Sequence, residues 1–74
     1  MVILLYGSIA EKAGASEIEL EAVSVAQLRQ VLNTRIRGLP DMRYAIAVDR
    51  MIVTDDRDLC GTEEIAVLPP FAGG

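Results

Sequence analysis

The segment EIAVLPP at positions 64–70 is an apolar run of strand length that meets a pair of prolines. A second run of this kind, VILLY, occupies positions 2–6 at the other end of the sequence. Short continuous apolar runs are typical of strands that are buried on both faces. The pattern therefore predicts that the first and last strands are the central strands of one sheet.

Three further strands are predicted between these two runs. Positions 17–21 (EIELE) alternate between charged and apolar side chains, which is the period of a half-exposed strand. Positions 44–48 (YAIAV) and 51–53 (MIV) read as a strand pair, joined by a tight turn at Asp49 and Arg50. A short helical turn is expected at positions 9–13, ending at Gly14.

The main helix is predicted to begin at Ser24. The segment SVAQ at positions 24–27 fits a capping box, in which Ser24 and Gln27 satisfy exposed backbone donors at the helix start. An apolar stripe follows at Leu28, Val31 and Leu32. The helix should end by about position 37, because a glycine and a proline follow.

The order of these elements is strand, strand, helix, strand, short strand, strand. A single helix covers one face of a sheet, and the first and last strands can lie side by side and parallel around it. This arrangement is an α+β, ubiquitin-like β-grasp, with a mixed sheet of about four to five strands. We expect one domain over positions 1–74, whose apolar excess forms a patch that a partner covers.

Composition excludes several classes of function. The net charge of −4 argues against nucleic acid as a partner, and no apolar run is long enough to span a membrane. A single cysteine and the lack of a basic leader favour the cytoplasm. Without histidine, the chain has neither the usual general base nor a zinc ligand set, so we expect no metal site and no autonomous enzyme.

The last six residues are the strongest functional signal. Two glycines present a terminal carboxylate on a thin stalk, and the two prolines before them favour an extended backbone. Extended, the six residues span at most roughly 20 Å, enough to reach a buried site in a partner. The plainer interpretation is a frayed terminus. The candidate residues are Pro69, Pro70, Phe71, Ala72, Gly73 and Gly74.

Other side chains are weaker candidates. Cys60 is the only thiol, and a lone cysteine on a turn is more often inert than reactive. Asp55, Asp56 and Asp58 form an acidic connection that lacks the spacing of a calcium loop, which favours a solvated turn. Phe71 is either an anchor in a partner groove or a side chain folded back on the domain.

Nearly the whole chain resembles the small subunit of molybdopterin synthase, also called molybdopterin-converting factor subunit 1. The resemblance is most specific at positions 63–74 (EEIAVLPPFAGG), where the family commonly has an acidic residue, an apolar strand, two prolines and a final Gly-Gly. It extends to positions 4–14 (LLYGSIAEKAG), 25–29 (VAQLR) and 47–50 (AVDR). Asp49 and Cys60 depart from the asparagine and aspartate that are usual there.

The resemblance implies a sulfur carrier that holds no cofactor stably. In that family an E1-like adenylyltransferase uses ATP to activate the terminal glycine, here Gly74, and sulfur then gives a thiocarboxylate. The tail next enters the large subunit of molybdopterin synthase, in a heterotetramer, and donates sulfur to cyclic pyranopterin monophosphate. Gly73 would leave the backbone unobstructed, and the residues before it would contact the partner.

Three alternatives remain open at the level of sequence. The chain resembles, less specifically, carriers that supply sulfur for thiamine or for tRNA thiolation, which also end in Gly-Gly on a β-grasp. A ubiquitin-like modifier would instead join its terminal carboxylate to a lysine of a target. A binding module with an inert tail is the third alternative.

Overall fold

The computed structural model describes residues 1–69, so the predictions for positions 70–74 lie outside the described residues. Five strands, two helices and one 3₁₀ turn follow one another along the chain. In order they are β1 (Val2–Leu5), α1 (Gly7–Ala13), β2 (Glu17–Glu19), α2 (Val25–Arg35), the 3₁₀ turn (Leu39–Asp41), β3 (Ala45–Val48), β4 (Met51–Val53) and β5 (Ile65–Leu68).

The sheet has the order β2-β1-β5-β3-β4, which places β5 at its centre. Strand β5 runs parallel to β1 and antiparallel to β3, and β2 and β4 are the antiparallel edges. The prediction that the first and last strands are parallel neighbours is therefore confirmed. This mixed sheet with its helix is the predicted β-grasp.

The core lies between α2 and one face of the sheet. Leu28 and Leu32 of α2 are fully buried, as are Ile3 of β1 and Ile65 and Val67 of β5. The predicted helical stripe is confirmed, although its third member, Val31, is only half-buried. Leu59, in the connection before β5, fills the same core.

The prediction that β1 is buried on both faces is wrong. Val2 is 49% exposed and Leu4 is only half-buried, whereas Ile3 and Leu5 between them are buried. The physical reason is that α2 covers a single face of the sheet, so the apolar residues of the other parity point away from the core.

The first turn of α2 is capped by side chains from two parts of the chain. Ser24 Oγ accepts from the Gln27 N–H (3.1 Å), as the capping box predicts. The Gln27 amide oxygen, however, accepts from the N–H of Val23 (2.8 Å), one residue before the expected donor. Asp56 Oδ1 accepts from the Ala26 N–H (2.8 Å), so one predicted surface aspartate also serves as a helix cap.

Several boundaries differ from the predictions by one or two residues. Helix α1 already begins at Gly7, and α2 ends at Arg35 because Ile36 takes an extended conformation (φ −113°). Strand β2 is shorter than predicted and ends at Glu19. Gly14 closes α1 in the left-handed conformation (φ 73°), as expected of a glycine at a helix end.

The turn between β3 and β4 fixes the start of β5. Asp49 and Arg50 both have positive φ (51° and 69°), which is the geometry of a tight hairpin turn. The backbone N–H of Asp49 donates to the carbonyl of Glu64 (2.8 Å), and the Glu64 N–H donates to Asp49 Oδ1 (2.9 Å). The predicted turn therefore also ties the beginning of β5 to its neighbour.

A second turn, just before β5, is organised by Glu63. Its carboxylate accepts from the backbone N–H groups of Cys60 (2.7 Å) and Gly61 (2.9 Å). These bonds, that from Cys60 first, lower the pKa of Glu63 below its ordinary value of 4.5. Cys60 lies exposed on this turn, as predicted.

Replacing Leu32 by alanine should lower the free energy of unfolding by about 2–5 kcal/mol, because the fully buried side chain would leave a cavity between α2 and the sheet. Urea unfolding followed by circular dichroism measures this change. Gln30→Ala, on the exposed side of the same helix, is the control and should change stability by less than about 0.5 kcal/mol. Equal losses in the two variants would contradict this placement of the core.

The Glu63 turn predicts a pH dependence of stability. Because the pKa is lower in the folded chain, the stabilisation is present above about pH 4.5 and is lost as the pH falls through the folded-state pKa. Thermal unfolding should therefore show a gap between wild type and Glu63→Gln that closes in acid. Glu19→Gln on β2 is the control, and a gap that stays constant to low pH would contradict the assignment.

Candidate functional site

The candidate site is the point where the chain leaves the centre of the sheet. Leu5 of β1 pairs with Val67 on one side of β5, and Ala45 of β3 pairs with Leu68 on the other. The Tyr6 N–H donates to the Val67 carbonyl (3.3 Å), one residue beyond the last paired position of β1. The backbone is therefore held on both sides up to Val67, and on the β3 side up to Leu68.

Pro69 is the first residue after β5, and it lies against Gly7. A Cβ atom built on Gly7 would be 3.0 Å from Pro69 Cγ, which is tighter than most contacts of Cβ atoms and would require the ring to shift. Gly7 also has φ 55°, in the left-handed region that favours glycine. Pro69 is half-buried at this contact, so the root of the predicted tail rests on the domain.

Only the first of the predicted site residues belongs to the described part of the chain. Pro69 directly follows the last residue of β5. The remaining five lie outside the described residues, together with the two interpretations of Phe71, and they stay predictions: Pro70, Phe71, Ala72, Gly73 and Gly74.

The sheet face turned away from α2 is apolar across four strands. A row of four paired residues crosses it: Leu4 pairs with Ala66, Ala66 with Ala47, and Ala47 with Ile52. We call these four residues the open-face row. None of them belongs to the core cluster beneath α2. Ile52 is 53% exposed, Leu4 and Ala66 are half-buried, and Ala47 is buried.

The open-face row is shallow at its centre because two neighbouring strands contribute alanines there. Leu4 and Ile52 stand on either side, and Val2 and Tyr6 extend the apolar surface along β1 with about half of each side chain exposed. This surface is the apolar patch expected from the composition. The sequence contains a signal for this position, because β1 and β5 are apolar at both parities and α2 covers only one face, but the same pattern also predicts burial on both faces.

Each of the two tyrosines lies immediately before a secondary-structure element. Tyr6 precedes α1, and Tyr44 precedes β3 and packs against the core. The Tyr44 hydroxyl donates to Asn33 Oδ1 (3.1 Å), and the Arg29 guanidinium lies 5.3 Å from the centre of its ring. Helical periodicity places Arg29 outside the apolar stripe of α2 and does not reveal this stacking contact.

Metal-ligating side chains do not cluster within residues 1–69. Within this range no three acidic, cysteine or histidine side chains come together as a ligand set, and no pocket is present. Asp55 and Asp58 are exposed, as predicted for a solvated turn. None of the helices in the described range is both long and apolar enough to cross a membrane.

Comparison with known proteins places this geometry in a family. A search of curated proteins gives no significant match. Among solved structures, the crystal structure of SAMP1 from Haloferax volcanii superposes with a TM-score of 0.61 at 17% identity, covering 99% of this chain and 97% of that one. At this identity the likeness shows the fold. The family model of the ThiS family matches residues 3–74. Because that match covers nearly the whole sequence, the chain belongs to the ThiS family of small, ubiquitin-like sulfur carriers.

Proposed function

We propose that this carrier is the small subunit of molybdopterin synthase and donates sulfur from its C-terminal glycine. The observation that carries the proposal is the sequence of positions 69–74, PPFAGG, directly after the central strand of the sheet. Carriers of this family work with E1-like activating enzymes and with partner enzymes. The proline pair before the final glycines favours the molybdopterin branch.

The proposed chemistry takes place at the carboxylate of Gly74. A carboxylate is a poor electrophile until it carries a good leaving group, and adenylation by an ATP-using partner supplies one. Sulfur then replaces the adenylate to give a thiocarboxylate, which is the group that donates sulfur to cyclic pyranopterin monophosphate. Glycine leaves this carbonyl unhindered, and Gly73 keeps the backbone before it slender.

The fold supports this division of labour. The chain has no histidine, and residues 1–69 form no pocket, so the ATP site and the catalytic groups are assigned to the partners. The domain contributes a fixed point of departure for the tail, because β5 is hydrogen-bonded on both sides. Five residues follow Pro69 and reach at most about 17 Å beyond it when extended.

The open-face row is the proposed docking surface for these partners. Leu68 is half-buried and lies on the same face of the sheet as Ala66, two residues closer to the C-terminus. The proposed docking surface is therefore next to the point where the tail begins. The shallow centre formed by Ala66 and Ala47 suits a partner that inserts larger apolar side chains. In the cell we assign this assembly, a heterotetramer with the large subunit, to the cytoplasm.

The family also contains the second candidate function, which is delivery of sulfur for thiamine or for tRNA thiolation. The match over residues 3–74 supports a sulfur carrier without separating these pathways. A ubiquitin-like modifier would share the fold but would transfer its carboxyl group to a lysine.

Protein isolated from its native cells should contain a form heavier by one oxygen-to-sulfur exchange. Deleting Gly74 should abolish this form and molybdopterin synthesis, while the thermal unfolding midpoint stays unchanged because the deleted residue follows the sheet. Intact-mass spectrometry and an assay for molybdopterin check the two outcomes. Gly14→Ala, which changes a glycine far from the tail in sequence, serves as the control and should keep the thiocarboxylate form.

The same experiment separates the alternatives. Synthesis of molybdopterin by the truncated chain would refute the proposal. Loss of thiamine or of thiolated tRNA, with molybdopterin intact, would assign the carrier to the other pathway. Gly-Gly remnants on lysines of other proteins, without a thiocarboxylate form, would favour a modifier.

A further inference from the structure

We infer that Gly7 is a positioning residue for the tail. Because it has no side chain, the ring of Pro69 packs directly against its backbone, and this contact orients the start of the tail. The inference rests on the proposed function, since it assigns Gly7 a part in delivering Gly74 to a partner. It concerns a residue more than sixty positions away in sequence from the reacting end.

Two independent constraints meet at Gly7. Its φ of 55° is costly for a residue with a side chain. In addition, a Cβ at this position would face three ring atoms of Pro69, Cγ, Cδ and Cβ, at 3.0, 3.7 and 3.9 Å. The first constraint alone would be an ordinary requirement of a turn. The second constraint, the close contact with Pro69, links Gly7 to the first residue of the tail.

The position of Gly7 is fixed from both directions along the chain. Before it, the Tyr6 N–H donates to the Val67 carbonyl (3.3 Å) and ties Tyr6 to β5 itself. The Tyr6 carbonyl in turn accepts from the N–H groups of Ile9 (3.1 Å) and Ala10 (3.4 Å), which opens α1. Ile9 is fully buried, so this turn is anchored in the core.

Pro69 is the first residue that the β ladder cannot hold, because proline has no N–H to donate. Its own φ is fixed by the ring. The contact of that ring with Gly7 is therefore the interaction that orients Pro69, the last described residue, against the domain. A methyl group on Gly7 would push the ring away and turn the departing chain.

A small rotation of the backbone at Pro69 produces a larger displacement at the end of the tail. The five residues after Pro69 span at most about 17 Å, so a rotation of about 10° displaces an extended end by about 3 Å. A misplacement of about 1 Å between reacting groups can slow an enzymatic step on the order of a hundredfold. The contact between Gly7 and Pro69 is thus expected to affect activation rather than folding alone.

The test compares Gly7→Ala with Gly14→Ala in ATP-dependent thiocarboxylate formation by the purified activating enzyme and its sulfur source. Gly14 is the matched control, because it has a similar φ (73°) but no atom within 4 Å of an added Cβ. Both variants should lower the thermal unfolding midpoint. Only Gly7→Ala should lower kcat/KM for the carrier, by about tenfold or more.

Equal kcat/KM for Gly7→Ala and Gly14→Ala would overturn the inference while leaving the proposed function standing. A wild-type chain that no activating enzyme modifies would instead refute the proposed function. If Gly7→Ala does not fold, Pro69→Ala replaces it, since this variant removes the ring and leaves the Gly7 backbone unchanged. It should also lower kcat/KM, and an unchanged value would overturn the inference.

A readout without the enzyme tests the geometry directly. In the NMR spectrum of the wild-type chain, the Hα protons of Gly7 should show nuclear Overhauser contacts to the ring protons of Pro69. These contacts should persist in Gly14→Ala and disappear in Gly7→Ala. Their absence from the wild-type spectrum would overturn the inference whatever the kinetics show.

Discussion

Hydrogen bonding of β5 on both of its sides is the constraint on which the rest of the structure depends. Parallel pairing with β1 and antiparallel pairing with β3 leave this strand no freedom to shift, and its buried residues Ile65 and Val67 anchor it to the core. Two turns fix where it begins, one through Asp49 and one through Glu63. The chain consequently leaves the sheet from its central strand, which is the geometry that the proposed delivery of the chain end requires.

The two faces of the sheet differ in whether other elements of the domain cover them. One face is filled mainly by α2, together with buried residues of α1 and of the connecting segments such as Ile9, Leu39 and Leu59. The other carries the open-face row and remains apolar without a covering element in the described residues. Covering of the sheet on one face only thus explains both the small core and the apolar surface that we assign to partners. The face toward α2 stabilises the fold, and the opposite face of the same strands is the one that we assign to partner binding.

Much of this architecture follows from local sequence patterns. The two continuous apolar runs predicted that β1 and β5 are neighbours in the sheet. The dipeptide Asp49-Arg50 between two strand patterns predicted the hairpin of β3 and β4. Contacts between distant segments were not predictable in this way. Asp56 caps α2 across 30 positions, and Gly7 meets Pro69 only because β1 and β5 are neighbours. For the candidate site, the sequence predicted which residues belong to it, positions 69–74. The structure adds the contact that Pro69, the first of them, makes with Gly7.

The central claim is that the terminal carboxyl group, and no side chain, is the group that the partner activates. ATP–pyrophosphate exchange catalysed by the activating enzyme measures this step directly. Two synthetic chains of identical sequence would be compared, one ending in a carboxylate at Gly74 and one ending in a carboxamide. Exchange with the carboxylate chain alone, with the same thermal unfolding midpoint for both, is the predicted result. Equal exchange with the carboxamide chain would place the reacting group elsewhere and contradict the claim.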